Sequence, residues 1–380
     1  MIFVGIPVLF IPGNAGSHRQ VRSMASVALR KSIEDFKYKI HFDYFAVDFN
    51  EEFSAIYGGT LQDQAAFVRK SIERILKLYD GAENAPKSVV LIGHSIGGLV
   101  ARALFLDPNF NSKSVHTIIT LATPHSAPVV NADRYLDQFY KEINAFWNQS
   151  SQHLDHVYLV AIGGGVNDIQ VMPALTVSNQ ANIGIQTTAA SGVWVSADHR
   201  CIVWCKQLVL ALNRALFDLI ESDSSKQLSN DKNKRNDVFR YHLVKRTAGK
   251  RYKTNLHPDE MVFDKEGDWK EIKSRQLTFQ SDKKLTKNTY LRVPIMEEDP
   301  HHQMLSVDAI NMDLDNWIFV CKETSIHNSV ELCESGINLS DQSVIMPSNG
   351  KRKSVTIDLN KFGKEGSQGS QIVIFMAKGF

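Results

Sequence analysis

Ser88-Val89-Val90-Leu91-Ile92-Gly93-His94-Ser95-Ile96-Gly97-Gly98-Leu99-Val100-Ala101-Arg102-Ala103-Leu104-Phe105-Leu106 is the stretch that decides the fold. Val89 to Ile92 is a continuous apolar run, the pattern of a parallel strand covered on both faces. Leu99 to Leu104 read as a helix. Between them, Gly93-His94-Ser95-Ile96-Gly97 fits G-x-S-x-G. That pattern is common by chance, and its place between a strand and a helix is what turns it into a nucleophile elbow. The glycines are needed because side chains there would collide with the neighbouring strand and helix. The strained turn lifts the Ser95 hydroxyl clear of the sheet, and the helix behind it aims its N-terminal N–H groups at developing negative charge. The plainer alternative, a glycine-rich turn around a structural serine, leaves that context unexplained.

The surrounding chain alternates strand and helix up to about residue 221. Val8 to Ile11, ended by Pro12-Gly13, and Ile40 to Val47 read as strands. So do Val115 to Leu121 and Val157 to Ile162, with Val193-Trp194-Val195 as a last short one. Leu61, Ala65, Val68, Ile72, Leu76 and Tyr79 recur at steps of three and four, which predicts an amphipathic helix. Val21, Ala25 and Ala28 mark an earlier helix, and Ile202 to Ile220 a late one, broken by charges as in a helix packed on one face. This alternation implies a mostly parallel sheet with helices on both sides, the α/β-hydrolase class.

Residues 1–221 are therefore expected to be a catalytic α/β domain, and the polar residues 222–236 a linker. Residues 237–380 show strand patterns at Asn288 to Pro294, Asn316 to Cys321, Ser354 to Leu359 and Gln371 to Met376, with Asn349-Gly350 as a turn signal. No strong helix is legible there, so a smaller sandwich-like β domain is expected.

A serine needs a base, and the base an orienting carboxylate, in the chain order Ser, acid, His. His199 follows Val193-Trp194-Val195 and precedes the last helix, where the base belongs. His125, in Thr123-Pro124-His125, comes too early and reads as a pocket-lining or structural residue. Asp168 follows the strand ending at Ile162 and is the preferred acid. Asp155 precedes that strand, and Asp198 is badly placed to bond the ring of its neighbour. The oxyanion donors expected are the N–H of Ile96 and one from Pro12-Gly13-Asn14-Ala15-Gly16-Ser17, either Asn14 or Ala15. His18, Arg19 and Arg22 can meet a phosphate-bearing substrate or simply be solvated helix surface. Asn131 to Gln152 is one candidate lid.

Bulk numbers exclude other classes. The 380 residues are 43% hydrophobic and 22% charged with net charge +2, so no global field points to nucleic acid. No apolar run reaches the roughly 18 residues of a membrane span, and Met1 to Pro7 lacks the basic start of a signal peptide. Of the four cysteines, Cys201 and Cys205 read as buried thiols, while Cys321 and Cys333 can pair in an oxidising compartment. Asn148-Gln149-Ser150 and Asn338-Leu339-Ser340 are formal glycosylation sequons, compatible with a lumenal location.

Further motifs narrow the class. Phe10-Ile11-Pro12-Gly13-Asn14-Ala15-Gly16-Ser17, Asp48-Phe49-Asn50-Glu51-Glu52 with Tyr57-Gly58-Gly59, the elbow, Ala122-Thr123-Pro124-His125, and Asp198-His199 with Cys201-Ile202-Val203-Trp204-Cys205 together resemble the GPI inositol-deacylase family. The likeness covers most of residues 5 to 220, and Cys321, Cys333 and Gly336 to Ser340 look like the family's lumenal β domain. The resemblance implies an endoplasmic-reticulum membrane enzyme that removes the inositol-linked acyl chain of GPI-anchored proteins and aids their onward transport. By position, Ser95, Asp168 and His199 are its triad, with no metal or organic cofactor. The family's early antiparallel strands and transmembrane segments have no counterpart in this chain, so membrane attachment is expected through segments outside it. A generic lipase or esterase, or a silent protein that binds GPI-anchored cargo, are the other readings.

Overall fold

The computed structural model describes residues 3–379, except 132, 150–152, 222–226, 246–250, 253–259, 281–283, 296–302, 313, 315, 328–329, 348–351 and 363–370. Two compact units divide the chain, Met1–Lys245 and Arg246–Phe380.

The first unit is built as β1 Ile6–Ile11, α1 Arg22–Phe36, β2 Phe42–Ala46, α2 Gly59–Lys77, β3 Val90–His94, α3 Ile96–Ala103, β4 Thr117–Leu121, α4 Arg134–Gln149, β5 Tyr158–Gly163, β6 Ile183–Gln186, α5 Lys206–Asp218 and α6 Lys232–Leu243. Its six strands lie in the order β2-β1-β3-β4-β5-β6, every pair parallel. The order reverses between β1 and β3, so the loops leaving their C-terminal ends part in opposite directions and open a crevice there. Ser95 stands at that switch point. The core explains the apolar runs: β1, β3, β4 and β5 are buried along their whole lengths, and Leu61, Val68, Ile72 and Ile75 turn one face of α2 toward them.

Two segments differ from the sequence reading. Val193-Trp194-Val195 is not a strand. Val193 and Trp194 both donate their N–H to Ala190 O, after Gly192 at φ 72°, and so form a turn. The sixth strand is Ile183–Gln186, registered beside β5 from Val160 to Gly163. Its four residues include a glycine and a terminal glutamine, so no apolar run announced it. The second difference is α6, which begins inside the expected linker and continues past residue 236. Asp231 caps it by accepting the Asn233 N–H at 2.9 Å. Val238, Phe239, His242 and Leu243 then form a buried stripe, hidden in sequence by the preceding charged run. Phe239 stacks on Tyr158 at 5.5 Å. Arg235, fully buried, donates to the carbonyls of His116, His156 and Asn230 and so ties α6 to the starts of β4 and β5.

The second unit contains β7 Glu260–Val262, β8 Asp268–Glu271, β9 Thr289–Pro294, β10 Met304–Ala309, β11 Ile318–His327, β12 Val330–Asn338, β13 Val344–Met346, β14 Arg352–Asp358 and β15 Gln371–Met376. A six-stranded sheet, β7-β12-β11-β15-β9-β8, faces a three-stranded one, β10-β14-β13. Ile318, Ile372 and Ile374 from the first sheet share a core with Val355 and Ile357 from the second, so the unit is a β-sandwich. Cys321 and Cys333 form a disulfide across the β11–β12 pair. Asn338 of the second sequon is buried, accepting the Ser340 N–H and donating to Asn316 Oδ1, both at 2.8 Å. In the fold its amide shapes a turn. The Asn349-Gly350 turn signal lies outside the described residues.

Replacing Arg235 with Ala removes the hydrogen bonds to the carbonyls of His116, His156 and Asn230 and opens a cavity where the buried guanidinium lay. The expected loss is about 2–4 kcal/mol of stability, to be read from urea denaturation; a loss under about 0.5 kcal/mol would mean that the clamp is idle.

Candidate active site

The elbow is a problem of close approach. A Cβ on Gly93 would lie 2.4 Å from Gly98 Cα, and one on Gly98 would lie 2.1 Å from Thr123 Oγ1. A Cβ on Gly97 would meet the backbone oxygens of Ile11 and Pro12 at 2.4 and 2.5 Å. Only glycines let α3 pack so tightly on β3, β4 and the end of β1. Ser95 takes the strain, with φ 55° and ψ −133°, and its N–H donates to Leu121 O at 2.8 Å. It is 8% exposed, at the first turn of α3, where Ile96 N–H has no partner within its own helix.

The loop after β1 crosses directly above. A Cβ on Gly13 would sit 2.5 Å from Ser95 Cβ. Ala15 N–H is committed to Glu52 O at 2.8 Å, and Asn14 Oδ1 accepts the Ala55 N–H at 2.9 Å. Asp48 to Tyr57 therefore braces the Asn14 loop from behind. Glu52 is itself held through its carboxylate by Gln64 Nε2 at 2.8 Å. This bracing was not legible in the motif, because it works largely through backbone atoms.

On the other side of the crevice the structure brings Asp168 and His199 together. Asp168 Oδ2 accepts from His199 Nδ1 at 3.1 Å, while Oδ1 accepts the N–H groups of Val171 and Gln170 at 2.8 and 3.2 Å. Since the carboxylate can only accept, Nδ1 carries the proton in this pairing and Nε2 is left as the basic nitrogen. Both side chains are buried, Asp168 at 2% and His199 at 7% exposure. Their loops are laced together. Ala197 N–H donates to Gly164 O at 2.8 Å, Asn167 N–H to Ser196 Oγ at 2.9 Å, and Asn167 Nδ2 to Ser196 O at 3.2 Å. Asp155 is exposed and paired with Lys232, and Asp198 turns its carboxylate to the N–H groups of Arg200 and Cys201.

His94, next to the serine, was not singled out from sequence. Its Nε2 donates to His199 O at 2.7 Å, and the two rings lie 4.8 Å apart. It thus ties the serine's strand to the histidine's loop. Burial, helped by the nearby His199 charge, pushes its pKa down to about 4. His125 lies elsewhere in a buried network: Arg102 donates to its Nδ1 at 3.2 Å, and its Nε2 donates to Thr120 Oγ1 at 2.9 Å. Both nitrogens are engaged and burial holds the ring well below its ordinary pKa, so His125 is structural. Arg102 is fully buried, bonded to Asn144 and Gln180 as well, and burial lowers its pKa to about 10. Arg19 and Arg22 are exposed and His18 pairs with Asp48 at 3.3 Å, a solvated surface. Cys205 is buried and Cys201 half-buried, both as free thiols. Among the described residues no group of acidic, histidine and cysteine side chains can hold a metal ion.

Residues 3–219 match the PGAP1-like alpha/beta domain. The chain belongs to that family. It is 39% identical over 369 residues to the GPI inositol-deacylase of Mus musculus, an alignment covering 94% of this chain and 38% of the mouse protein. It is 37% identical to that of Xenopus laevis, across 85% of this chain and 35% of the relative. For Drosophila melanogaster the identity is 32%, across 95% of this chain and 39% of the relative. The chain thus spans well under half the length of these relatives.

The neutral His94 ring makes the fold acid-sensitive. Its pKa drops from 6.5 in the unfolded chain to about 4, so its contribution to stability is complete above pH 6.5 and lost as pH falls toward 4. His94→Gln, which keeps an N–H donor, is expected to flatten that part of the stability–pH curve relative to the parent. Parallel curves for the two proteins would rule the buried neutral ring out.

Proposed function

We propose that this chain carries the catalytic part of a GPI inositol-deacylase, a serine hydrolase that cleaves the fatty acyl ester on the inositol of GPI anchors. The observation that carries the reading is the Asp168–His199 pair at 3.1 Å, laced beside a strained serine in a member of this family. Family membership narrows the ester, and the names of the mouse, frog and fly relatives support inositol-linked acyl chains as the group removed.

In this reading Ser95 Oγ attacks the ester carbonyl while His199 Nε2 takes its proton. Asp168 holds the imidazole in the required tautomer and stabilises the imidazolium. The N–H groups of Ile96 and Asn14 receive the oxyanion. Ala15 is the less suitable donor, its N–H being spent on Glu52. Collapse expels the inositol oxygen, which takes the proton from His199, and leaves an acyl-serine. Water, deprotonated by His199, then releases the fatty acid and restores Ser95. Each step uses groups this chain holds, so no metal or organic cofactor enters.

GPI-anchored proteins are the partners in this reading and nucleic acid is not. The location proposed is the lumenal side of the endoplasmic-reticulum membrane, where the enzyme would aid export of its substrates. A disulfide between Cys321 and Cys333 is in keeping with an oxidising compartment. No helix among the described residues is long and apolar enough to cross a membrane.

The test follows inositol-linked acyl chains on a GPI-anchored reporter in deacylase-deficient cells that express the chain with added membrane targeting. The intact chain is expected to remove them, Ser95→Ala to leave them in place, and Asp168→Asn to slow the reaction roughly ten-thousand-fold. Retention with the intact chain, together with labelling of Ser95 by a fluorophosphonate, would point to a generic lipase or esterase. Retention without labelling would mean a silent binding protein.

A further inference from the structure

The loops that leave the sheet around Ser95 have an unusual composition. Between Lys113 and Asp133 the sequence holds no Asp, Glu, Lys or Arg. Between Asp155 and Asp198 it holds only Asp168, which is buried. These stretches supply the loops after β4, β5 and β6. In place of charge their surfaces present Val130 at 65% exposure, Val166 at 79%, Ile169 at 89% and Met172 at 61%.

The loops adjoin one another. Ser126 N–H donates to Leu175 O at 3.3 Å, joining the β4 loop to the β5 loop. Gly58 N–H donates to Asp133 Oδ2 at 2.9 Å and the Tyr57 ring stands 6.1 Å from that of Tyr135, joining the start of α4 to the Asp48 to Tyr57 loop. That loop exposes Phe53 and Ile56, and through Ala55 it touches Asn14 above Ser95. Trp204, half exposed, follows shortly after His199. Single exposed apolar side chains are ordinary on a protein surface. The apolar tips of the β4 and β5 loops, free of exposed charge and joined to each other beside Ser95, form a binding surface, with the acidic residues Asp48, Glu51 and Glu52 confined to the neighbouring loop at its margin.

We propose that this crown docks the catalytic unit on a phospholipid bilayer, its loop tips entering the boundary between headgroups and acyl chains with the opening over Ser95 turned to the lipid. The acyl side of that boundary excludes charge, and the β4 and β5 loops offer it none, Asp168 being buried. The edge of the crown fits the same occupant. Tyr57, Tyr135 and Trp204 have apolar bodies with polar tips, suited to headgroup depth. Arg134, exposed with its guanidinium 5.2 Å over the Tyr135 ring, can reach lipid phosphates from there. The surface is defined by its own exposed loops and holds whatever ester Ser95 attacks.

The measurement is co-sedimentation of the full 380-residue chain, carrying Ser95→Ala so that no turnover intervenes, with phosphatidylcholine vesicles. The chain is expected to partition onto the vesicles almost equally at low and high salt. Val130→Ser, Ile169→Ser and Met172→Ser together are expected to lower partitioning at least about tenfold with an unchanged thermal midpoint. Leu29→Ser with Ile33→Ser, exposed apolar residues on α1 outside these loops, should have no effect. Failure to bind vesicles, or equal binding by the triple variant, would overturn the proposal. So would a dimer in solution that the triple variant dissolves, since the crown would then be a contact between copies. Because the Ser95→Ala protein is used, a negative result here leaves the deacylase reading to its own test.

Discussion

The close packing of four glycines around Ser95 is the constraint on which the rest of this structure depends. Gly93, Gly97 and Gly98 let β3, α3, β4 and the end of β1 converge to distances no side chain would permit, and Gly13 brings the next loop onto the serine itself. The cost is concentrated at one residue, Ser95 at φ 55°, which the surrounding elements over-determine. Because β3 lies beside β1 at the reversal of strand order, this strained point also sits where the sheet opens a crevice. Position and chemistry thus have one origin.

Around that fixed point the chain uses short polar links in place of long elements. The Asp168 and His199 loops are stitched to each other, His94 ties the serine's strand to the histidine's loop, and Glu52 steadies the loop that crosses Ser95. The buried Arg102–His125 network does comparable work beneath, filling a site where hydrocarbon alone would leave polar groups unpaired. Behind the sheet, Arg235 gathers three carbonyls and fastens α6. The loops after β4 and β5 are the opposite in character, free of exposed charge and apolar at their tips. A rigid interior and a lipid-compatible rim are what hydrolysis of a lipid ester at a surface would ask for.

Much of this was legible in one dimension. The apolar runs at Val8 to Ile11, Val89 to Ile92 and Val157 to Ile162 are strands because a strand covered on both faces has no place for polar residues. The three-and-four spacing from Leu61 onward is α2 because one helical face must meet that sheet. Chain order alone marks Asp168 and His199 as the candidate partners of Ser95. The reading failed where the signal was short or mixed. Val193-Trp194-Val195 has strand composition, yet Gly192 and the Ala190 carbonyl bend it into a turn. Ile183–Gln186 has weak strand composition and becomes β6 because the open edge of β5 needs a partner. The stripe of α6 was masked by the charges in front of it.

The sequence by itself determined the class of fold, the glycine-tight turn at Ser95 and a short set of candidate partners for that serine. Those follow from local sterics and hydrophobic periodicity, which neighbouring residues decide among themselves. Only the tertiary structure decided which nitrogen of His199 faces Asp168, that Ala15 is spent on Glu52, that His125 is locked in a buried network and that the Asn338 amide is tied into a turn. Each of these turns on where a backbone carbonyl or a distant side chain comes to rest, tens of residues away in the chain, and no local pattern encodes that meeting.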